Sequence, residues 1–280
     1  MYLLETLDKK EVFQQATESL MQKSANAAEV KPLPNIHIDK LKLYFRQPIV
    51  INAYKEMGLN DIVLLQPSIG DIVKVSEPLF YSTLSVFTTN PTANRLLLWN
   101  EGIDWNDLTD YGLFVMFFNR INPEISKLIF QDVDFTRFKR LKKNDDILFY
   151  NEEQNIVIDE NIYNIISLYF RTMFNAFPKT EKTVDAVAKE WIIEEELMNA
   201  AIKKDEDKSS LFSLISTCVN HPGFKYKSSE LINVGIFEFM DSVKRLQIYE
   251  SATAVMKGMY SGFVDAKKID KEAYNFMKES

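Results

Sequence analysis

The spacing of apolar residues divides the chain into two parts. Up to residue 159, short stretches with period-two alternation stand among helical stretches, and from residue 160 onward the spacing is helical. The alternation predicts strands over 36–45, 61–65 and 135–141, and a hairpin between 147–150 and 156–158. The sequence therefore predicts an α+β fold, with short antiparallel strands and a hairpin in the N-terminal part and an all-helical C-terminal part.

The change of pattern also predicts two domains. The first is an α+β domain over 1–159 that begins with a helical leader over Leu7–Ala28, and the second is a helical domain over 160–280. Within the first domain, Ser68 and Asp71 have the spacing of a capping box, which predicts the start of a helix.

The longest predicted helix spans Ile236–Tyr260, where apolar residues follow one helical face over about three heptads. Two interpretations of this apolar face stay open. The helix packs inside its own domain, or the face forms a groove for a partner or for a second copy of the chain. Methionines on the face favour adaptable binding.

Composition limits the classes of function and the compartment that we expect. The chain carries 33 Lys and Arg against 40 Asp and Glu, a net charge of −7, which points away from nucleic-acid binding. A local basic run over 137–143 leaves that function as an alternative to a lysine-guarded edge strand. The single cysteine, Cys218, indicates a reducing compartment. The sequence has no apolar run long enough for a membrane span and no signal-peptide pattern, so we expect a cytoplasmic protein without a membrane partner.

Catalytic and metal-binding patterns are sparse. With one cysteine and two histidines, His37 and His221, no structural zinc site is expected. The carboxylates Asp104, Asp107 and Asp110 suit helix capping or, alternatively, an acid/base or magnesium role. Glu194–Glu196 interrupt an apolar helical stripe and form a solvated face or an electrostatic docking edge. Because phosphate-loop, hydrolase and metalloprotease motifs are absent from the sequence, we expect no enzyme and no cofactor.

Several segments resemble a protein family encoded in the tail gene cluster of long-tailed phages and prophages of Gram-positive bacteria. Its members are described as tail assembly chaperones or as uncharacterised tail or virion proteins. The C-terminal segments that carry the resemblance are WIIEEE (191–196), CVNHPGFKYKSSEL (218–231) and the stretch over 236–270. The N-terminal segments include LKLYFRQP (41–48), QPSIGDIV (66–73), LLWNEGIDWNDLTDYGLF (97–114), LIFQDVDFTRF (128–138) and FYNEEQNIVIDENIY (149–163).

The resemblance implies a non-enzymatic role in tail morphogenesis. Such a chaperone would bind the tape-measure protein, prevent its aggregation and be displaced as the tail-tube protein polymerises; self-association is a further expectation. We place the partner-binding groove at Phe239, Met240, Val243, Leu246, Met256 and Met259. The alternatives are a structural tail or baseplate component of the virion, and a nucleic-acid-associated or metal-dependent phage factor.

Overall fold

The chain folds as an α+β protein, as the sequence predicts. The computed structural model describes residues 37–52, 54, 58–143, 146–183, 185–202, 210–263 and 265–278. The helical leader predicted over Leu7–Ala28 lies outside these residues.

The first part of the chain alternates short helices and strands. Its helices are α1 (Lys40–Tyr44), α2 (Ile69–Lys74), α3 (Glu77–Thr88), α4 (Arg95–Asn100), α5 (Asp110–Phe117) and α6 (Pro123–Phe130), with single 3-10 turns at Thr92–Asn94, Phe118–Arg120 and Phe135–Arg137. Polar side chains start most of these helices because they satisfy exposed backbone N–H groups. Ser68 and Asp71 form the predicted capping box at the start of α2.

The strands form two small antiparallel sheets. β1 (Ile49–Ile51) pairs with β2 (Ile62–Leu64), and Ile51 lies opposite Ile62. In the second sheet the order is β3 (Lys139–Lys143), β4 (Asp146–Asn151) and β5 (Ile156–Ile158), with Phe149 opposite Ile158. This second sheet contains the predicted hairpin.

The second part of the chain is helical, as predicted. It comprises α7 (Glu160–Phe174), α8 (Ala186–Ile202), α9 (Ser210–Val219), α10 (Ser228–Leu231) and α11 (Ile236–Tyr260), followed by 3-10 turns at Ala266–Lys268 and Lys271–Ala273. Gly235 stands at the N-cap of α11, and the helix has the limits that its apolar face predicts.

Two strand predictions are corrected by the structure. In the predicted strand over 36–45, the described residues contain α1, because the Asp39 carboxylate accepts hydrogen bonds from the N–H groups of Leu41 and Lys42 and caps a helix. In the predicted strand over 135–141, Asp134 caps a 3-10 turn first, so β3 begins at Lys139. The helix α6 is absent from the sequence predictions.

Most buried apolar residues form one large core that draws on both parts of the chain, and a small second cluster lies around Leu59 and Leu148. Phe80 of α3 and Phe174 of α7 have ring centroids 6.0 Å apart, and Phe87 contacts Phe170 at 5.5 Å. Phe239 and Val243 of α11 belong to the same buried cluster. The domain division at residue 159 stays a prediction, and the core lies across it.

Candidate protein-binding surface

The start of α11 is held by backbone bonds to the N-terminal part of the chain. The N–H of Ile69 donates to the carbonyl of Val234 at 3.0 Å, and that of Gly70 donates to the carbonyl of Ile232 at 3.0 Å. In the opposite direction, the N–H of Ile236 donates to the carbonyl of Pro67 at 3.1 Å. These bonds join residues 67–70 to residues 232–236, and we call this contact the junction; it fixes the position at which α11 begins.

Glycine is required at this junction because the two backbones approach closely. A Cβ added at Gly70 would lie 2.5 Å from the Ile232 side chain and 2.6 Å from its carbonyl oxygen. Side chains reinforce the contact: the Arg46 guanidinium donates to the carbonyl of Asn233 at 3.2 Å. The start of α11 and the residues before it are therefore bonded to the start of α2 and the residues before it.

The six residues predicted to bind a partner separate into three groups. Phe239 and Val243 are 0% and 9% exposed and lie in the core, so their side chains hold the helix in place. Met240 and Leu246 are half-buried and line cavities at the surface. Met256 and Met259 are also half-buried and lie in the last turns of α11. The partner-binding role of the accessible four stays a prediction.

Two cavities lie beside the first half of α11. We call the larger, of about 450 Å³, the Leu246 groove; it is lined by Tyr44, Gly223, Phe224, Lys225, Asp241, Ser242, Arg245, Leu246 and Tyr249. We call the smaller, of about 190 Å³, the Met240 groove; it is lined by Lys40, Thr172, Met173, Asn175, Phe177, Phe237, Met240, Asp241 and Lys244. Asp241 lines both, so the two grooves meet along α11.

A hydrogen-bonded cluster forms one wall of the Leu246 groove. The Lys225 ammonium donates to the Tyr44 hydroxyl at 3.1 Å and to Glu238 Oε1 at 3.2 Å, and the Tyr226 hydroxyl donates to the same carboxylate. Partial burial disfavours the charged form of Lys225, but its hydrogen bonds with the oxygens of Tyr226, Tyr44 and Glu238, in which the ammonium donates, outweigh burial and raise its pKa. The wall thus holds an ion pair between Lys225 and Glu238, in which Lys225 stays protonated over a broad pH range.

The C-terminal segment returns to the same helix. Arg245 Nη1 donates to the carbonyl oxygen of Lys278 at 2.6 Å, and Arg245 Nε lies 3.8 Å from Asp241 Oδ1. On the other side, His221 Nε2 lies 3.5 Å from Glu250 Oε1. The Leu246 groove is therefore an apolar opening bounded by polar groups that already have partners.

The predicted carboxylate cluster is divided among different partners. Asp104 forms an ion pair with Lys189, whereas Asp110 Oδ2 accepts from Arg171 Nη2 at 2.8 Å. Asp107 is exposed. Among the described residues, no group of three or more His, Cys, Asp or Glu side chains is placed to hold a metal ion.

The cysteine, the histidine His221 and the basic run of the sequence do not form a chemical site together. Cys218 is buried, and His221 Nδ1 accepts from the N–H of Gly223 at 3.0 Å. In the basic run, Arg137 lies 3.5 Å from Glu153 and Lys139 lies 2.9 Å from Glu152, so acidic neighbours offset these charges. β3 stands at the edge of its sheet.

Sequence reasoning missed the residues that the fold brings to the groove from outside α11. Tyr44 comes from α1, and Lys225 and Tyr226 come from the loop between α9 and α10. The aromatic and basic composition of that loop, FKYK over 224–227, is the one signal that could have indicated them.

The comparisons with known proteins support a phage protein. Residues 203–280 match the family model described as YomV second domain, a phage-derived family in which YomV comes from a Bacillus prophage. The matched segment contains α9, α10, α11 and the returning C-terminal segment. No curated protein and no solved structure matches the chain. Among the described residues, no helix is both long enough and apolar enough to cross a bilayer.

Proposed function

We propose that this chain is a phage tail morphogenesis protein that binds the tape-measure protein during assembly, in the manner of a chaperone. The observation that carries the proposal is the pair of grooves along α11, with Met240 in one and Leu246 in the other. Amphipathic helices are commonly bound in apolar grooves of this kind, and methionine adapts to partners of different shape.

The small accessible area of the two α11 grooves supports reversible binding. Phe239 and Val243 anchor α11 in the core, so the helix needs no partner to stay in place. The accessible part is small and is bounded by charged groups, and small interfaces suit transient encounters. The family match over 203–280 includes the whole of α11 and fits a phage protein.

Co-expression with the tape-measure protein of the same gene cluster tests the proposal. We expect a soluble complex, and we expect Leu246→Asp to reduce the captured tape-measure protein about tenfold or more, because a buried charge opposes apolar contact. Met240→Asp should act in the same direction. Val73→Asp is the matched control, since Val73 is an exposed apolar residue of α2 outside both grooves.

Each variant is first compared with the unsubstituted chain in thermal unfolding. Leu246 is the sharper test because it lies outside the buried core cluster, whereas Met240 packs against it. If the tape-measure protein remains insoluble and this chain is found in purified particles, the chaperone role is wrong. The chain would then be a structural tail or baseplate component.

A further inference from the structure

Helix α8 presents a second apolar face that the described part of the chain leaves exposed. Trp191 is 71% exposed, and Val187 and Met198 are 58% and 67% exposed. At about 100° per residue, these three side chains fall within one narrow stripe. Ile193, which is 4% exposed, lies on nearly the opposite side and packs into the core. The stripe therefore faces away from the protein.

The inner side of α8 is fixed to the rest of the fold. Lys189 forms an ion pair with Asp104, and its ammonium lies 5.5 Å from the centroid of the Trp105 ring. Glu196 Oε1 accepts from Arg95 Nε at 2.5 Å. Because these contacts hold the helix in one orientation, the outer stripe is already formed before any partner binds.

The charges around the stripe have one sign. Glu190, Glu194 and Glu195 are exposed, and no described cation forms an ion pair with them. The only basic residue of α8 is Lys189, which lies on the inner side. Beside the stripe, a wide groove of about 790 Å³ lies between α8 and α4; its lining includes Glu101, Glu195 and Glu196, and its one basic residue, Arg95, is paired with Glu196. The surface is therefore an apolar stripe with an acidic rim, and Glu194 and Glu195 of that rim stand between Trp191 and Met198 along the helix.

We propose that this α8 face binds a basic amphipathic helix of a partner protein. The stripe from Val187 to Met198 is about 16 Å long, which matches a partner helix of about three turns. Apolar side chains of that helix would cover Trp191, and its Lys or Arg residues would lie against Glu190, Glu194 and Glu195. Such charge pairs chiefly increase the association rate and the specificity.

The acidic charge of the α8 face also favours a basic helix over a second copy of the chain, nucleic acid or a membrane. Two copies of the chain that met through this face would bring the same acidic rims together, and like charges in contact are unfavourable. Nucleic acid and anionic membranes carry the same sign as the rim. The α8 face is separate from the α11 grooves, so this proposal does not depend on the chaperone role.

A labelled model peptide tests the proposal on the full chain. The probe has about 18 residues, with leucines on one helical face and lysines elsewhere, and the control peptide has glutamate in place of lysine. We expect saturable binding of the lysine peptide by fluorescence anisotropy, weaker binding as salt rises, and no binding of the glutamate peptide. Trp191→Ala should weaken binding about thirty-fold, as expected for a central aromatic anchor.

Variants show where the peptide binds. Glu194→Lys with Glu195→Lys should weaken it further, whereas the matched reversal Glu124→Lys with Asp132→Lys should not, since those exposed residues belong to the α6 region. Leu246→Asp should bind like the unsubstituted chain. Equal affinity for both peptides, or insensitivity to Trp191→Ala at an unchanged melting temperature, would overturn the proposal. So would a dimer in sedimentation that Trp191→Ala converts to a monomer.

Discussion

Gln66 is a buried polar side chain that connects α1 to α11. Its amide nitrogen donates to the carbonyl of Leu43 at 2.8 Å, and its Oε1 accepts from the N–H of Phe237 at 3.2 Å. The residue is 7% exposed, so water does not readily replace either bond. A side chain of the same length without these groups would leave the N–H of Phe237 unpaired, whereas the carbonyl of Leu43 would keep its bond from the N–H of Arg46.

We therefore expect Gln66→Met to lower the free energy of unfolding by about 1–3 kcal/mol, since one buried group left unpaired costs about that much. Urea denaturation measures the change. Gln47→Met is the control, because Gln47 is exposed and its replacement should change stability by less than about 0.5 kcal/mol. Equal stability of the two variants would mean that Gln66 does not hold the start of α11.

At this scale the sequence predicts local bonds and misses distant ones. Ser68 and Asp71 are three residues apart, and their capping box follows from spacing alone. Arg171 Nη2 donates to the carbonyl of Thr89 at 2.8 Å, a contact between distant positions that no periodicity encodes. The sequence places Phe239 and Leu246 on one helical face. Phe239 is nevertheless buried and Leu246 lines a groove, because different elements of the fold pack beside them.

Helix α8 is attached to the fold by an ion pair whose strength depends on pH. The hydrogen bond from Lys189 to Asp104, together with the N–H of Asn106, holds the pKa of this carboxyl below its ordinary value of 3.8. The unfolded chain therefore takes up a proton at a higher pH than the folded chain does. The stabilisation is complete above the ordinary pKa and is lost as pH falls through the lowered one.

We expect Asp104→Asn to reduce stability at neutral pH and to lose this effect in acid. Urea midpoints of the variant and the unsubstituted chain should differ near about pH 7 and should converge as pH falls through the lowered pKa of Asp104. Asp107→Asn serves as the control, because Asp107 is an exposed neighbour and should give little difference at either pH. A difference that persists in acid would show that the Asp104 charge is not its source.

Elements were predictable where one signal dominates the local sequence. Gly235 and a long apolar repeat determine α11, and alternation around a polar turn determines the hairpin β4–β5. The stretch 36–45 alternates as a strand does, yet the Asp39 cap makes part of it a helix. In this stretch the hydrogen bonds of the Asp39 cap therefore determine the local structure, and the alternation of apolar residues does not.

The whole molecule is built around aromatic packing between its two parts. α7 carries Tyr163, Tyr169 and Phe170 into the core, all at 1% exposure or less. Phe114 of α5 and Tyr163 have ring centroids 4.7 Å apart. α11 in turn packs its Phe239 against the same cluster. The orientation of both proposed binding surfaces therefore depends on packing across residue 159.

This shared core predicts cooperative unfolding of the two parts. In differential scanning calorimetry we expect one transition whose calorimetric enthalpy equals the van't Hoff enthalpy. A chain of residues 160–280 alone would expose the apolar side of α7, so it should lack a cooperative transition and its near-UV circular dichroism should be weak. Two resolved transitions, or a cooperatively folded 160–280 fragment, would instead show that the two parts divided by the change of pattern at residue 159 unfold independently. In that case α11 and its grooves would stand without the N-terminal part, and the junction bonds from residues 66–70 would orient the helix without being needed to fold it.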